Sequence, residues 1–247
     1  MRIFSIQYFV FADMGNMKEI SLLENKLGVK FENQNLITEA ITHRSYLNEH
    51  PDFKLDHNER LEFLGDAVLE LVVTEYLYKN FPNPEGDMTN WRASLVNGDA
   101  LAEVGQKMDI EDFILMSKGE AKDKNSKARQ YILANAMEAI IGAIYLEHGL
   151  PTVRKFITKN IISRLADILK NRLYIDPKSS FQEKAQEKLN ITPNYKVLSS
   201  YGPDHAKIFK VGVYLDKELI ASGDGLSKQE AQIKAAQAAL EAKGWVS

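Results

Sequence analysis

The sequence contains no cysteine, which excludes disulfides, thiolate metal sites and a cysteine nucleophile, and leaves the redox compartment open. It also lacks an apolar run long enough to span a bilayer. Residues 3–11, Ile-Phe-Ser-Ile-Gln-Tyr-Phe-Val-Phe, come nearest, but they are too short and only Arg2 precedes them. They read as part of an N-terminal extension, with Met14 or Met17 as an alternative start, rather than as a targeting signal. No strand pattern occurs before about residue 170. The stretch 131–147 has almost no polar side chains: only Asn135 and Glu138 interrupt its apolar run. A helix apolar on every side belongs in the interior, and a carboxylate there is costly unless a cation or strong donors compensate it.

The chain has 247 residues, 45% of them apolar and 26% charged, which suits a globular protein with one large domain or one medium and one small. Residues 18–28 read as an amphipathic helix stopped by Gly28, and 33–49 as another passing through Thr42-His43-Arg44-Ser45. His43 fits a structural histidine hydrogen-bonded in a helix-end turn. Residues 58–80 form a long helix with Leu61, Leu64, Ala67, Val68, Leu71 and Val72 as its expected buried stripe. Glu62 and Asp66 then lie along one edge of that stripe at i and i+4. Alone, two acids in a first helical turn need no function, because negative charge is mildly favoured there. Taken with Asn135 and Glu138 they suggest one hard-cation site built from two core helices.

Pro82 and Pro84 end the long helix, and 87–107 supplies one or two more, with Arg92 and Asn97 as polar residues of interest. Residues 117–129 are polar throughout and read as an exposed loop whose Lys or Arg side chains are placed to hold a backbone phosphate. Beyond residue 170 the character changes. Asp176-Pro177 is a helix start running to roughly Leu189, with Asp as N-cap and Pro at the first position. Strand-like runs follow at 194–199, 207–215 and 218–223. Ser227-Lys-Gln-Glu230 is a capping box opening an alanine-rich helix to Ala242. Residues 172–247 hold 11 Lys and Arg against 9 Asp and Glu, and the remainder 20 against 25, giving the net −3. The division fits an acidic catalytic part and a mildly basic part able to meet phosphates.

These segments resemble bacterial ribonuclease III from about Lys18 to Trp245. The resemblance is carried by Asn58-Glu59-Arg60-Leu61-Glu62-Phe63-Leu64-Gly65-Asp66, by Arg92-Ala93-Ser94-Leu95-Val96-Asn97, by Gly119-Glu120 and by residues 132–142. The C-terminal part is similar to a double-stranded RNA-binding domain through Gln182-Glu183, Gly202-Pro203-Asp204-His205 and Ser227-Lys228. The resemblance implies an all-α endonuclease domain followed by a small α+β (α-β-β-β-α) double-stranded RNA-binding domain. The limits are an extension at 1–17, a catalytic domain at 18–170, a linker at 171–175 and the RNA-binding domain at 176–246.

By the same resemblance Glu62, Asp66, Asn135 and Glu138 are the metal cluster, with Asp66 and Glu138 in the most direct catalytic roles. The family has Asp where this chain has Asn135; an amide carbonyl still offers Mg²⁺ an oxygen but gives up one negative charge, so weaker metal binding is expected. Phosphodiester hydrolysis suits Mg²⁺, with Mn²⁺ as substitute, and no Cys/His cluster competes for the role. A-form RNA is recognised through 2′-hydroxyls and phosphates, which makes Gln182, Glu183, His205, Lys228 and Lys234 the candidate contacts. The last helix has Gln229 and Glu230 where related domains often carry further basic residues. The resemblance further implies a homodimer without membrane or organic cofactor, in the cytoplasm, processing and degrading rRNA and mRNA precursors. Its products are 5′-phosphate and 3′-hydroxyl ends with a short 3′ overhang. The alternative is a duplex-binding protein in which Asn135 has weakened or abolished cleavage; an all-helical scaffold with a generic interaction module is a more distant third.

Overall fold

A computed structural model describes residues 14–122, 126–174, 176–203 and 207–245. The chain divides into two compact units, one ending at Asn171 and the other beginning at Arg172.

The first unit is helical: α1 (Met14–Leu27), α2 (Gln34–Ala40), α3 (Arg44–Glu49), α4 (Glu59–Asn80), α5 (Glu85–Val96), α6 (Gly98–Lys107), α7 (Lys118–Lys122), α8 (Lys127–Asn160) and α9 (Leu165–Lys170). Two 3₁₀ turns, Ile110–Phe113 and Ile162–Arg164, join them. Helix α1 begins at Met14, four residues before the start expected at Lys18; Gly15 and Asn16, both poor helix formers, hid this. It stops at Gly28, as expected, where φ is +69°. Among the described residues no helix is long and apolar enough to cross a membrane.

The single helix expected at 33–49 is divided. Thr42 leaves the helix to pair with Leu115 in an isolated bridge, with Leu115 N–H donating to the Ile41 carbonyl at 2.9 Å and His43 N–H to the Leu115 carbonyl at 2.8 Å. His43 restarts the helix as N-cap of α3, its ring Nδ1 accepting from Ser45 N–H. The expected loop at 117–129 also needs correction. It contains α7 and the first turn of α8, and Arg129 is buried against Glu111 at 2.6 Å. Ser126 caps α8 by accepting from Arg129 N–H, and the ion pair with Glu111 withdraws the Arg129 side chain from any phosphate.

Helix α8 is the axis of the unit, with Ile132, Leu133, Met137, Ile140, Ile141 and Ile144 nearly or wholly buried. It breaks at Gly149, where φ is +71° and ψ −178°, two residues before Pro151. Helix α4 packs across it through Leu61, Gly65, Val68, Leu69, Val72 and Val73. Ala67 and Leu71, expected in the buried stripe, face outward instead. With Phe63 (82% exposed) and Tyr78 (77% exposed) they form a second apolar stripe at helical spacing. A helix that is apolar on two faces gives one continuous periodic signal, so sequence spacing could not separate them.

The α4–α8 crossing has no room for side chains. A Cβ on Gly65 would stand 1.7 Å from the Glu138 carbonyl oxygen, and one on Gly142 would stand 2.4 Å from the Leu61 carbonyl oxygen. The two backbones therefore touch.

The second unit consists of α10 (Pro177–Leu189), β1 (Asn194–Tyr201), β2 (Ile208–Leu215), β3 (Glu218–Gly225) and α11 (Lys228–Ala242). The antiparallel sheet has the order β1-β2-β3, with a register shift in each pairing. Asp176 accepts from Ser179 N–H and Pro177 opens α10, as the sequence predicts. Phe181, Ala185, Val213, Leu215, Ala235 and Ala239 make the core, with Trp245 packed against it. Helix α11 lies directly on β3, because a Cβ on Gly223 or Gly225 would come within 2.4 Å or 2.5 Å of a backbone nitrogen of that helix.

Gly142→Ala is expected to destabilise the first unit by about 3 kcal/mol, the scale of overpacking a close contact. Urea unfolding followed by Trp91 fluorescence in a Trp245→Phe background checks this, and an unchanged midpoint would show that the crossing can relax.

Candidate active site and nucleic-acid interface

The first turn of α4 is fixed in place by Asn58. Asn58 is 1% exposed; its backbone N–H donates to the Thr42 carbonyl at 2.9 Å and its side-chain amide to the Ala40 carbonyl at 3.4 Å. Glu62 and Asp66 follow one and two turns later, on either side of Gly65. Because Gly65 rests on the backbone of Glu138, the contact that joins the helices also sets both acids beside Glu138. Asn135, one turn earlier on α8, hydrogen-bonds the Glu62 carboxylate. The structure thus brings together all four residues singled out from sequence. Glu62 is half-buried, as its place at the edge of the α4 stripe predicts, whereas Asp66 is exposed, and Asn135 and Glu138 are half-buried rather than sunk in the core. Among the described residues no three acidic or imidazole groups are drawn close enough to ligate one ion as they stand.

The electrostatics of the cluster are one-sided. Burial pushes the Glu138 carboxyl up to about 8, and the Asp66 and Glu62 charges push the same way. Glu62 is also raised, by burial first and then by Glu59 and Asp66, with the Asn135 hydrogen bond opposing them. Carboxylates facing one another in a half-buried site favour protonation unless a cation arrives. Hard oxygen donors of this kind suit Mg²⁺ or Mn²⁺.

The other polar candidates are structural. Arg92 reaches Glu70 at 2.9 Å and Thr74 at 2.9 Å, clamping α5 to α4. Asn97 caps α6 by accepting from Ala100 N–H at 2.9 Å, while its amide donates to the Ala93 carbonyl at 2.9 Å. Burial lowers the pKa of His43, in keeping with its role as a neutral hydrogen-bond acceptor. The sequence places Asn58, Gly65 and Gly142 in the matching motifs without assigning them a structural role; a glycine inside each of two strongly helical patterns was the available signal for the close crossing.

In the second unit Gln182 and Glu183 are exposed on α10, and Lys228 and Lys234 are exposed on α11. A hydrogen bond of 2.9 Å from Lys178 to Gln232 ties the first turn of α10 to α11. Gln182 lies one turn beyond Lys178 and Lys228 one turn before Gln232, so both flank this tie. Lys228 Nζ sits 5.9 Å from the Phe209 ring centroid, and Lys234 is held by Glu230 at 2.8 Å. His205 lies outside the described residues.

Comparison with known proteins adds sequence-wide evidence. A Ribonuclease-III-like family model matches residues 33–165, and a double-stranded RNA binding motif matches 177–243. Ribonuclease 3 of Nitratiruptor is 45% identical over 91% of this chain and 97% of its own length. That of Carboxydothermus hydrogenoformans is 44% identical over 89% of this chain and 93% of its own. A crystal structure of the ribonuclease III nuclease domain from Campylobacter jejuni is 42% identical, with a TM-score of 0.51, covering 65% of this chain and 100% of that one. A second structure of that domain, described by structural flexibility in a region involved in dimer formation, has a TM-score of 0.50 and covers 57% of this chain and 97% of that one, again at 42% identity. With an acidic helix crossing in one unit, an α-β-β-β-α motif in the other and matches across both, the chain belongs to the ribonuclease III family of endoribonucleases.

Proposed function

We propose that the chain is a Mg²⁺-dependent endoribonuclease that hydrolyses double-stranded RNA to 5′-phosphate and 3′-hydroxyl ends, with Mn²⁺ able to replace Mg²⁺. Residues 18–170 carry the cleavage, 176–246 the duplex recognition, and 171–175 link them. The observation that carries the reading is Glu138: half-buried, faced by Asp66 and Glu62, and raised to about 8 by influences that all act in one direction. A divalent ion relieves each of them at once. Glu62, Asp66, Glu138 and the Asn135 carbonyl are the residues that would hold it. Bound there, the ion supplies an activated water and neutralises charge on the scissile phosphate.

The chain's own residues orient this chemistry. Asn135 holds the Glu62 carboxylate by a hydrogen bond, leaving its carbonyl as a neutral fourth donor. Asp66, the most exposed of the set, stands at the rim where substrate would enter. Glu138 lies at the helix crossing and is the deepest charge. Duplex recognition falls to Gln182, Glu183 and His205 at 2′-hydroxyls, and to Lys228 and Lys234 at phosphates. Cytoplasmic processing and decay of rRNA and mRNA precursors is the matching role. A homodimer is supported by the uncovered stripe of Phe63, Ala67, Leu71 and Tyr78 on α4, and by the dimer-forming region named for the Campylobacter relative.

The direct test is cleavage of a long RNA duplex in Mg²⁺. The parent chain is expected to cut; chelation should stop it, and Glu138→Ala should slow it roughly a thousandfold. An uncut duplex that is nonetheless bound by the parent would leave the duplex-binding alternative standing.

The raised Glu138 pKa has a stability consequence. Between the ordinary value of 4.5 and about 8 the folded chain holds a proton that the unfolded chain releases, so this group lowers stability as pH rises through that window. In chelator, the stability of Glu138→Gln relative to the parent should therefore rise from pH 5 to pH 8, read as the difference in thermal midpoint. Mg²⁺ at pH 8 should raise the parent's midpoint more than the variant's. A pH-independent difference would mean that Glu138 is solvated. Leu71→Glu is expected to shift the chain from dimer to monomer in light scattering; an unchanged mass would place the interface elsewhere.

A further inference from the structure

The start of α11 already contains an anion. Ser227 caps the helix by accepting from Glu230 N–H at 3.1 Å. In return Glu230 Oε2 accepts from Leu226 N–H at 2.8 Å, and its Oε1 pairs with Lys234 Nζ at 2.8 Å. An ordinary capping box sends the glutamate to the N–H of the cap residue itself. Here it reaches one residue further back, so the carboxylate projects past the helix end beside Leu226, which is 68% exposed. The first turn beneath it has little freedom, because Gly225 packs so tightly that a Cβ there would come within 2.5 Å of Ala231 N and 2.9 Å of Glu230 Cβ.

A phosphate approaching this end would compete with Glu230 for Leu226 N–H, just outside the helix, and for the Lys234 ammonium. Helix N-termini attract anions through unsatisfied N–H groups and a positive dipole end, and a nearby ammonium adds to that attraction. One carboxylate fills a backbone donor, neutralises Lys234 and adds a negative charge of its own. Lys228 is the remaining basic side chain of the first turn.

We propose that Glu230 is an affinity-limiting residue of the RNA-binding unit, an internal carboxylate that competes with duplex phosphate for Leu226 N–H and Lys234. The inference rests on the reading of residues 176–246 as duplex-binding. It makes the contribution of Lys234 conditional: the lysine serves RNA only when Glu230 releases it. The result is a chain whose hold on a duplex is weaker, and less sensitive to salt, than its count of lysines suggests.

The test uses the full chain in chelator, with a long fluorescent RNA duplex titrated at several salt concentrations. Glu230→Gln is the informative change, since glutamine still completes a capping box but carries no charge; its melting curve verifies folding. It should bind about five-fold tighter near physiological salt, the scale of one helix-terminus charge interaction, and steepen the log–log salt slope by about one, the signature of one more phosphate contact. Lys234→Gln alone should change affinity less than about two-fold, yet remove most of the gain when combined with Glu230→Gln. Equal or weaker binding by a folded Glu230→Gln, with an unchanged slope, would overturn the inference and leave Glu230 as a cap only. A parent chain that binds no duplex at any salt would overturn the underlying reading as well, so the two failures are distinguishable.

Discussion

The site depends on backbone contact between α4 and α8. Helices ordinarily pack with their axes 8–10 Å apart because side chains intervene; at Gly65 and Gly142 nothing intervenes. The carboxylates on either side of Gly65 are carried to Glu138 by that contact rather than by attraction, since like charges repel. Packing therefore holds the cluster in an arrangement that burial and like charge both oppose, and the Glu138 carboxyl is raised by burial first and by the Asp66 and Glu62 charges after it. Buried apolar surface along Leu61, Val68, Leu69 and Val72 on one side, and along the isoleucines of α8 on the other, stabilises the crossing against it.

The second unit uses the same device for a different end. Gly223 and Gly225 let α11 settle onto β3, and Phe181, Val213, Leu215 and the alanine face of α11 close a small core. The capped start of that helix is consequently rigid. Its surface chemistry is decided by a few side chains there, Lys228, Glu230 and Lys234, rather than by the net charge of the unit.

Much of this was legible in the sequence where the cause is local. Asp176-Pro177 and Ser227 announced helix starts because a cap is chemistry within four residues. The acids were legible because carboxylates in apolar helices are expensive wherever they fall. What escaped has its cause in residues distant along the chain. Arg129 looked like part of a basic loop, but its partner is Glu111. Thr42 interrupts a helical pattern because Leu115 offers it a bridge. The outward turn of Ala67 and Leu71 follows from which side of α4 meets α8, and Gly65 decides that by steric demand alone. The capping box at Ser227 was recognised, but not that its glutamate would pass the cap and capture Lys234.

Phe63 has a consequence of its own. It lies between Glu62 and Asp66 in sequence, yet its ring faces solvent. A second copy seated on that ring would strip water from the side of α4 adjoining both acids, and desolvation is the largest influence already acting on Glu62. Self-association and carboxylate ionisation would then be thermodynamically linked, so that dilution alone alters how tightly the crossing holds protons and, by competition, cations.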